Sequence, residues 1–221
     1  MSIIDEFMEI YSKEYDHYIE IARICAERCE LELERNGIRA IVTHRGKRPD
    51  RLRLKLEKRI IEKNYKSIQV IYGDIVDFAG IRIALYFPGD RDEVNKLIES
   101  NFYISKVKRF PKEGIKNTYS KRFSGYFATH YICALKKDEP YEEDSRYVNS
   151  MVEIQVASVL MHAWAEVEHD LVYKPLNGDL SEDEYELLDQ LNGLVMSGEI
   201  SLERLQKAVK TRVAAIDKQI N

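Results

Sequence analysis

The sequence has few cysteines, and it lacks the long apolar runs and internal repeats that define several common protein classes. Its three cysteines, an odd number, argue against a disulfide framework and fit a reducing cytoplasm. Cys25 and Cys29 share one face of a predicted helix, but two thiols leave a zinc site incomplete, so we assign them to packing. No apolar run approaches the roughly 20 residues of a membrane span, and the acidic start MSIIDEFMEIYSKEYD is unlike a signal peptide.

The hydrophobic pattern predicts a single α+β (loosely α/β) domain over residues 1–221, with its core at about 40–174. We predict a mixed five-stranded sheet with strands at 38–44, 79–87, 102–110, 125–135 and 147–157. The predicted helices, before, between and after these strands, are 2–35, 50–64, 91–100, 158–173 and 181–218. Ser158 is the expected N-cap of the fourth helix.

The net charge of −4 hides two strongly basic segments. Residues 45–66 contain ten Lys or Arg against three acids, and residues 104–122 contain seven against one. Each run alone is consistent with a solvated face. Two such runs flanking a central sheet favour a site for polyphosphate.

A carboxylate in the last predicted strand points to a functional site. Side chains alternate along a strand, so Glu153 and Gln155 lie on the face opposite Val152, Ile154 and Val156. A buried carboxylate without a partner costs several kcal/mol, so Glu153 requires a cation, either an arginine or a metal. The alternative is an edge strand with one wet face.

A second acid, Asp77, immediately precedes the strand that carries Arg82. If the two acids lie on neighbouring strands, they repel each other. Mg²⁺ would stabilise this arrangement by bridging them to substrate phosphates. The alternative for Asp77 is a turn residue before the strand.

The segment GYFATHY places Tyr126 and His130 four residues apart. On a strand this spacing predicts one shared face and a separation of roughly 13 Å, with a ring for stacking a base and an imidazole for phosphate or ribose. Plain packing is the alternative. His162, Glu166 and His169 share a helix face, but their spacing is not that of a zinc protease. Trp164 is predicted to be a core residue.

In sequence order, these segments resemble the synthetase domain of the RelA/SpoT family of alarmone synthetases. The motifs that carry the resemblance are RGKRPDRLRLKL, DFAGIRIALYFPGD, GYFATHY, VEIQV and AWAEVEHDLVYK. The resemblance implies a nucleotidyltransferase-like fold that transfers the β,γ-pyrophosphate of ATP to the 3′-hydroxyl of GDP or GTP.

The resemblance also assigns roles to individual residues. Asp77 and Glu153 match acids that bind Mg²⁺, and Glu153 also matches the acid proposed to activate the attacking hydroxyl. The residues that match the ATP site are Arg45 and Arg82, around the adenine, and Lys47 and Lys55, facing the phosphates. The residues that match the acceptor site are Tyr126, which stacks on the base, and His130, Gln155 and His162.

Several positions differ from the family pattern, mostly on the acceptor side. Phe127 stands where Arg or Gln is common, Ala157 replaces an arginine, Ser124 replaces Asn, and Arg51 replaces Ser. The acceptor is therefore open between guanine nucleotides, adenine nucleotides and the 3′-end of tRNA, the last two being acceptors of toxin-type relatives. A nucleotide-binding module without activity is the third alternative.

The segments outside the resemblance carry no second site in this sequence. About 40 residues precede the synthetase region, and the His169-Asp170 pair lacks companions for the family's hydrolase site. We therefore expect a small, single-domain synthetase whose long terminal helices serve packing or self-association.

Overall fold

Helices precede, separate and follow five strands in the computed structural model, which describes residues 2–111, 125–136, 147, 150–172 and 178–220. The helices are α1 (Ile3–Arg35), α2 (Pro49–Lys63), α3 (Ile68–Asp74), α4 (Arg91–Asn101), α5 (Val159–Val172) and α6 (Glu182–Ile220). The strands are β1 (Ala40–Gly46), β2 (Ala79–Leu85), β3 (Phe102–Phe110), β4 (Ala128–Leu135) and β5 (Val152–Ser158). The predicted mixed sheet with long terminal helices is confirmed.

The five strands form one sheet in the order β1-β2-β5-β4-β3. The central pair, β2 and β5, is parallel, and the other pairs are antiparallel. Asp77 therefore lies just before the start of β2, and Glu153 lies near the start of β5. The two acids are at the same edge of the sheet. This neighbourhood was predicted from the sequence.

One face of the sheet is buried against α1 and α4. Along β2 and β5, Ile81, Ile83, Ile154 and Val156 alternate inward and are at most 1% exposed. They form one core with the middle and C-terminal part of α1, including the buried thiols of Cys25 and Cys29. Burial of both thiols in this core agrees with their predicted packing role, and it raises the pKa of Cys29 to about 12.

A second core joins the first turns of α1 to α2 and α3. Its centre is a group of aromatic rings, which we call the aromatic cluster: Phe7, Tyr11, Tyr15, Tyr18, Tyr72 and Phe78. Phe78 directly precedes β2, so this cluster fixes the start of that strand. The N-terminal helix therefore contributes to the core of the domain.

Helices α5 and α6 cover one end of the opposite face of the sheet. Met161 packs there with Ala128 and Ala157, and Trp164 is 3% exposed, as predicted. The Ser158 hydroxyl accepts from the Met161 N–H at 3.0 Å, which confirms the predicted N-cap, and donates to Glu199 of α6. Arg91, at the start of α4, also contacts Glu199 at 3.5 Å.

Three predicted strands begin too early, for identifiable reasons. The N–H of Ile38 donates to Leu33 O at 2.9 Å and closes α1 next to Gly37, whose φ of +67° fits this turn. Gly125 has a φ of +44°, which turns the backbone before β4. A turn hydrogen bond from Ser150 N–H to Tyr147 O, at 2.8 Å, precedes β5.

Helix α3 was not predicted, because its Ile68, Val70 and Ile71 favour strands as readily as helices. Most of the second basic run, residues 137–145 of the predicted loop at 136–145, and the break at Pro175 lie outside the described residues. No helix within the described ranges combines the length and hydropathy that a membrane crossing requires.

Candidate active site

The face of the sheet opposite α1 carries two rows of paired residues across all five strands. One row consists of Thr43, Arg82, Gln155, His130 and Lys108. The next row consists of Arg45, Gly80, Glu153, Ile132 and Lys106. Paired residues project to the same side of a sheet, so the registers bring together five residues that the sequence assigned to the site.

Glu153 is held by neighbours on its own face. His130 Nδ1 lies 3.3 Å from Glu153 Oε1, and Gln155 Nε2 donates to Glu153 Oε2 at 2.8 Å. Burial raises the pKa of Glu153, but the hydrogen bonds and charge of these partners outweigh it and leave a net lowering. Among the described residues, an imidazole and an amide contact Glu153 in place of the expected arginine, and a metal at Glu153 stays a prediction.

Tyr126 extends this network to a second ring. Its hydroxyl lies 3.1 Å from His130 Nε2. Because a carboxylate only accepts, His130 donates from Nδ1 to Glu153, and its Nε2 faces the hydroxyl proton of Tyr126. Burial raises the pKa of Tyr126 to about 12, so the phenol keeps this proton at neutral pH.

The predicted separation of Tyr126 and His130 is wrong. The two ring centroids are 5.9 Å apart because Tyr126 precedes β4, where the extended spacing does not apply. Phe110, at the end of β3, packs against both rings, with centroid distances of 5.6 Å to Tyr126 and 4.8 Å to His130. Phe110 was not predicted as part of the site, since its place depends on the pairing of β3 with β4.

Asp77 is surrounded by the two lysines assigned to the donor phosphates. Lys47 Nζ, just after β1, lies 2.7 Å from Asp77 Oδ2, and Lys55 Nζ, on α2, lies 2.8 Å from Oδ1. Burial alone would raise the pKa of Asp77, but the two ammonium groups hold it at about 2. Burial lowers the pKa of Lys55, although Asp77 opposes this.

The two acids interact electrostatically, since the charge of Asp77 acts to raise the pKa of Glu153. Within the described ranges, no group of three His, Cys, Asp or Glu side chains is arranged to hold a metal. Two carboxylates suit Mg²⁺ only when phosphate oxygens and water complete its octahedron. Asp77 and Glu153 offer the ligand type that Mg²⁺ shares with phosphate oxygens, and the metal stays a prediction.

The two arginines assigned to the adenine project from adjacent strands on the polar face. Arg82 forms an ion pair with Glu166 of α5, and Arg45 lies exposed one row away. Gly80 stands between Arg45 and Glu153, and a Cβ there would meet only Arg45 O, at 3.9 Å. The polar face of the sheet is thus open between Arg45 and Glu153.

His162 occupies a different environment from the other assigned residues. It is 9% exposed, and its Nε2 lies 3.2 Å from the Ile83 carbonyl oxygen, between α5 and the sheet. Burial lowers the pKa of His162 to about 4, so the neutral ring donates to Ile83. The structure gives His162 a packing contact, and its role at the acceptor stays a prediction.

Comparisons with known proteins agree with this geometry. The sequence signature described as "Region found in RelA / SpoT proteins" matches residues 44–177. No curated protein sequence matches the chain significantly.

Three solved structures illustrate the likeness in fold. A GTP pyrophosphokinase family protein from Streptococcus pneumoniae is 19% identical with a TM-score of 0.69, over 96% of this chain and 97% of that one. Small alarmone synthetase 1 from Bacillus subtilis, bound to its product pppGpp, is 21% identical with a TM-score of 0.62, over 89% and 98%. The same synthetase bound to AMPCPP aligns at 19% identity with a TM-score of 0.58, over 90% and 98%.

The signature spans more than half of the chain and includes both acids, both lysines and the ring pair of the polar face. This protein therefore belongs to the RelA/SpoT family.

Proposed function

We propose that the protein is a pyrophosphokinase that transfers the β,γ-pyrophosphate of ATP to the 3′-hydroxyl of GDP or GTP and makes (p)ppGpp. The observation that carries this proposal is the position of Asp77 and Glu153 at the same edge of two adjacent parallel strands, with Lys47 and Lys55 in contact with Asp77. Relatives of the same fold bind pppGpp and AMPCPP, which supports a nucleotide donor and acceptor here.

The chemistry assigned to the chain is positioning, charge neutralisation and one proton transfer. The 3′-oxygen attacks the β-phosphorus, the bond from that phosphorus to the α,β-bridging oxygen breaks, and AMP leaves. Glu153, kept ionised by His130 and Gln155, accepts the proton of the 3′-hydroxyl. The two nucleotides bring about seven negative charges, so neutralisation by the basic side chains is the larger requirement.

Lys47 and Lys55 have a second task in this scheme. Each ammonium contacts Asp77, and each would also neutralise the phosphates of the donor nucleotide. Asp77 and Glu153 would hold Mg²⁺ together with these phosphates, and the metal would supply Lewis-acid charge stabilisation.

One observation favours an acceptor other than a guanine nucleotide. Ala157, which replaces an arginine of the family pattern, is 0% exposed and packs beneath Met161. This position therefore supplies no cation to a guanine nucleotide. An adenine nucleotide or the 3′-end of tRNA is the second candidate acceptor.

One experiment tests donor and acceptor together. The protein is incubated with Mg²⁺, ATP labelled at the γ-phosphate and, separately, GDP, GTP, GMP, ATP or tRNA. Labelled product formed from GDP or GTP supports alarmone synthesis. A labelled adenine nucleotide that has gained a 3′-pyrophosphate, or labelling of tRNA that falls with added salt, supports the second candidate. Binding of ATP without transfer to any acceptor would identify an inactive nucleotide-binding module.

We also propose that α6 mediates self-association. Residues 207–216 of this helix are exposed all round, and its apolar side chains form a stripe: Leu187, Leu191, Leu194, Leu205, Val209, Val213 and Ile216. Glu184 and Arg212 are equally distant in sequence from Gly198. In an antiparallel pair centred there, Glu184 of one copy is level with Arg212 of the second, and Leu191 with Leu205.

A further inference from the structure

The backbone of Lys47 is held from both sides. Its N–H donates to Phe78 O at 2.7 Å, and its carbonyl oxygen accepts from the Tyr11 hydroxyl at 2.5 Å. The first contact joins Lys47 to the segment that carries Asp77. The second joins it to α1, which lies outside the part of the chain that matches the family signature.

Tyr11 is itself fixed within the aromatic cluster. Its side chain is 0% exposed, and its ring lies 5.4 Å from Tyr18 and 5.5 Å from Phe78, between centroids. The neighbouring Gly46 shows how closely α1 approaches the same turn. A Cβ on Gly46 would lie 2.9 Å from Ile19 Cγ1 and 3.1 Å from Tyr15 Cε2.

We propose that Tyr11 is a positioning residue for the donor site, and that its hydroxyl fixes the backbone from which Lys47 reaches the triphosphate. The proposal rests on the function proposed above, since it takes the ligand of Lys47 to be a nucleoside triphosphate. When Lys47 leaves Asp77 for a phosphate, its main chain stays in place and only the side chain reorients. A lysine whose backbone is already fixed loses less conformational freedom on binding a phosphate than a mobile lysine does.

The competing explanation is that the hydroxyl merely satisfies a buried carbonyl. Removing it would then lower stability without a selective effect on the donor. Tyr72 provides the matched control, because its hydroxyl donates to Glu14 at 2.6 Å within the same aromatic cluster but does not contact Lys47.

The experiment compares Tyr11→Phe and Tyr72→Phe in the full chain by calorimetric titration with AMPCPP and Mg²⁺, together with the melting temperature. Loss of one hydrogen bond to the Lys47 backbone is expected to weaken AMPCPP binding by about 3- to 10-fold. The KM for ATP should rise by a similar factor, while the KM for the acceptor stays unchanged. Tyr72→Phe should leave AMPCPP affinity unchanged, whatever its effect on melting.

A double-mutant cycle tests whether Tyr11 acts through Lys47. In a Lys47→Ala background, Tyr11→Phe should cause no further loss of AMPCPP affinity, because the side chain that it positions is gone. Equal affinities of Tyr11→Phe and wild type, or fully additive losses in the cycle, would overturn the proposal. A wild-type protein that binds no AMPCPP would instead refute the proposed function.

Discussion

Replacing His162 with glutamine is expected to remove a large part of the acid sensitivity of folding. The imidazole lies between α5 and β2, where burial lowers its pKa to about 4 and the charges of Arg82 and His130 act in the same direction. The hydrogen bond to Ile83 and the charge of Glu166 oppose the shift. In the unfolded chain the same group titrates near its ordinary value of 6.5.

The sign of the effect follows from which state binds the proton. As the pH falls below 6.5, the unfolded chain takes up a proton at His162 that the native protein resists until about pH 4. The contribution of His162 to stability is therefore complete above pH 6.5 and is lost as the pH falls toward 4. The loss is about 2 kcal/mol between pH 7.5 and 5, and about 3 kcal/mol by pH 4.

The measurement is the free energy of unfolding by urea, for wild type and His162→Gln, at several pH values from 7.5 to 5. Glutamine retains an N–H for Ile83 O but does not titrate, so the difference between the two curves isolates His162. The wild type should lose about 2 kcal/mol more than the variant. Parallel curves would refute the reasoning.

The same variant tests the acceptor role that the resemblance assigns to His162. A selective rise in acceptor KM at pH 7.5 would make the ring a ligand, whereas unchanged kinetics would support packing alone.

Three further predictions concern the site and α6. Glu153→Gln should abolish pyrophosphate transfer while AMPCPP binding persists, because the proton acceptor is lost but the lysines remain; near wild-type turnover would contradict the assigned role. Mn²⁺ binding, followed by electron paramagnetic resonance, should strengthen by at least about tenfold with AMPCPP, since phosphate oxygens complete a coordination shell that two carboxylates leave incomplete; equally tight binding without nucleotide would contradict a shared site for metal and phosphate. Light scattering should find wild type in a dimer or larger assembly and Leu191→Asp in a smaller one, with Ile61→Asp as the exposed control; a monomeric wild type would exclude self-association through α6.

The faces of the strands were predictable from the sequence alone. The alternation of Val152, Ile154 and Val156 with Glu153 and Gln155 reflects a period of two, which holds for any half-buried strand. The same rule placed Arg82 opposite Ile81 and Ile83. Helix α1 was equally clear because Asn36 and Gly37 end a long amphipathic pattern.

The partners of the site residues were not predictable, because they depend on strand register and helix placement. The contact of Glu153 with His130 requires that Gln155 pair with His130 in the antiparallel register of β4 and β5. The contact of Tyr11 with Lys47 requires the docking of α1 on the turn after β1. A single sequence shows neither the strand register nor the docking of α1. The arginine or metal expected at Glu153 was therefore inferred from charge alone.

Ser158 has a consequence for any shortened form of the chain. Its hydroxyl links the end of the strand that carries Glu153 to Glu199, which lies near the middle of the last helix. A chain cut before Glu199 would leave this hydroxyl and the guanidinium of Arg91 without their shared acceptor, close to the catalytic strand. Loss of activity after such a cut could therefore result from damage to the sheet as readily as from loss of assembly. Point substitutions in the apolar stripe of α6 distinguish these two causes.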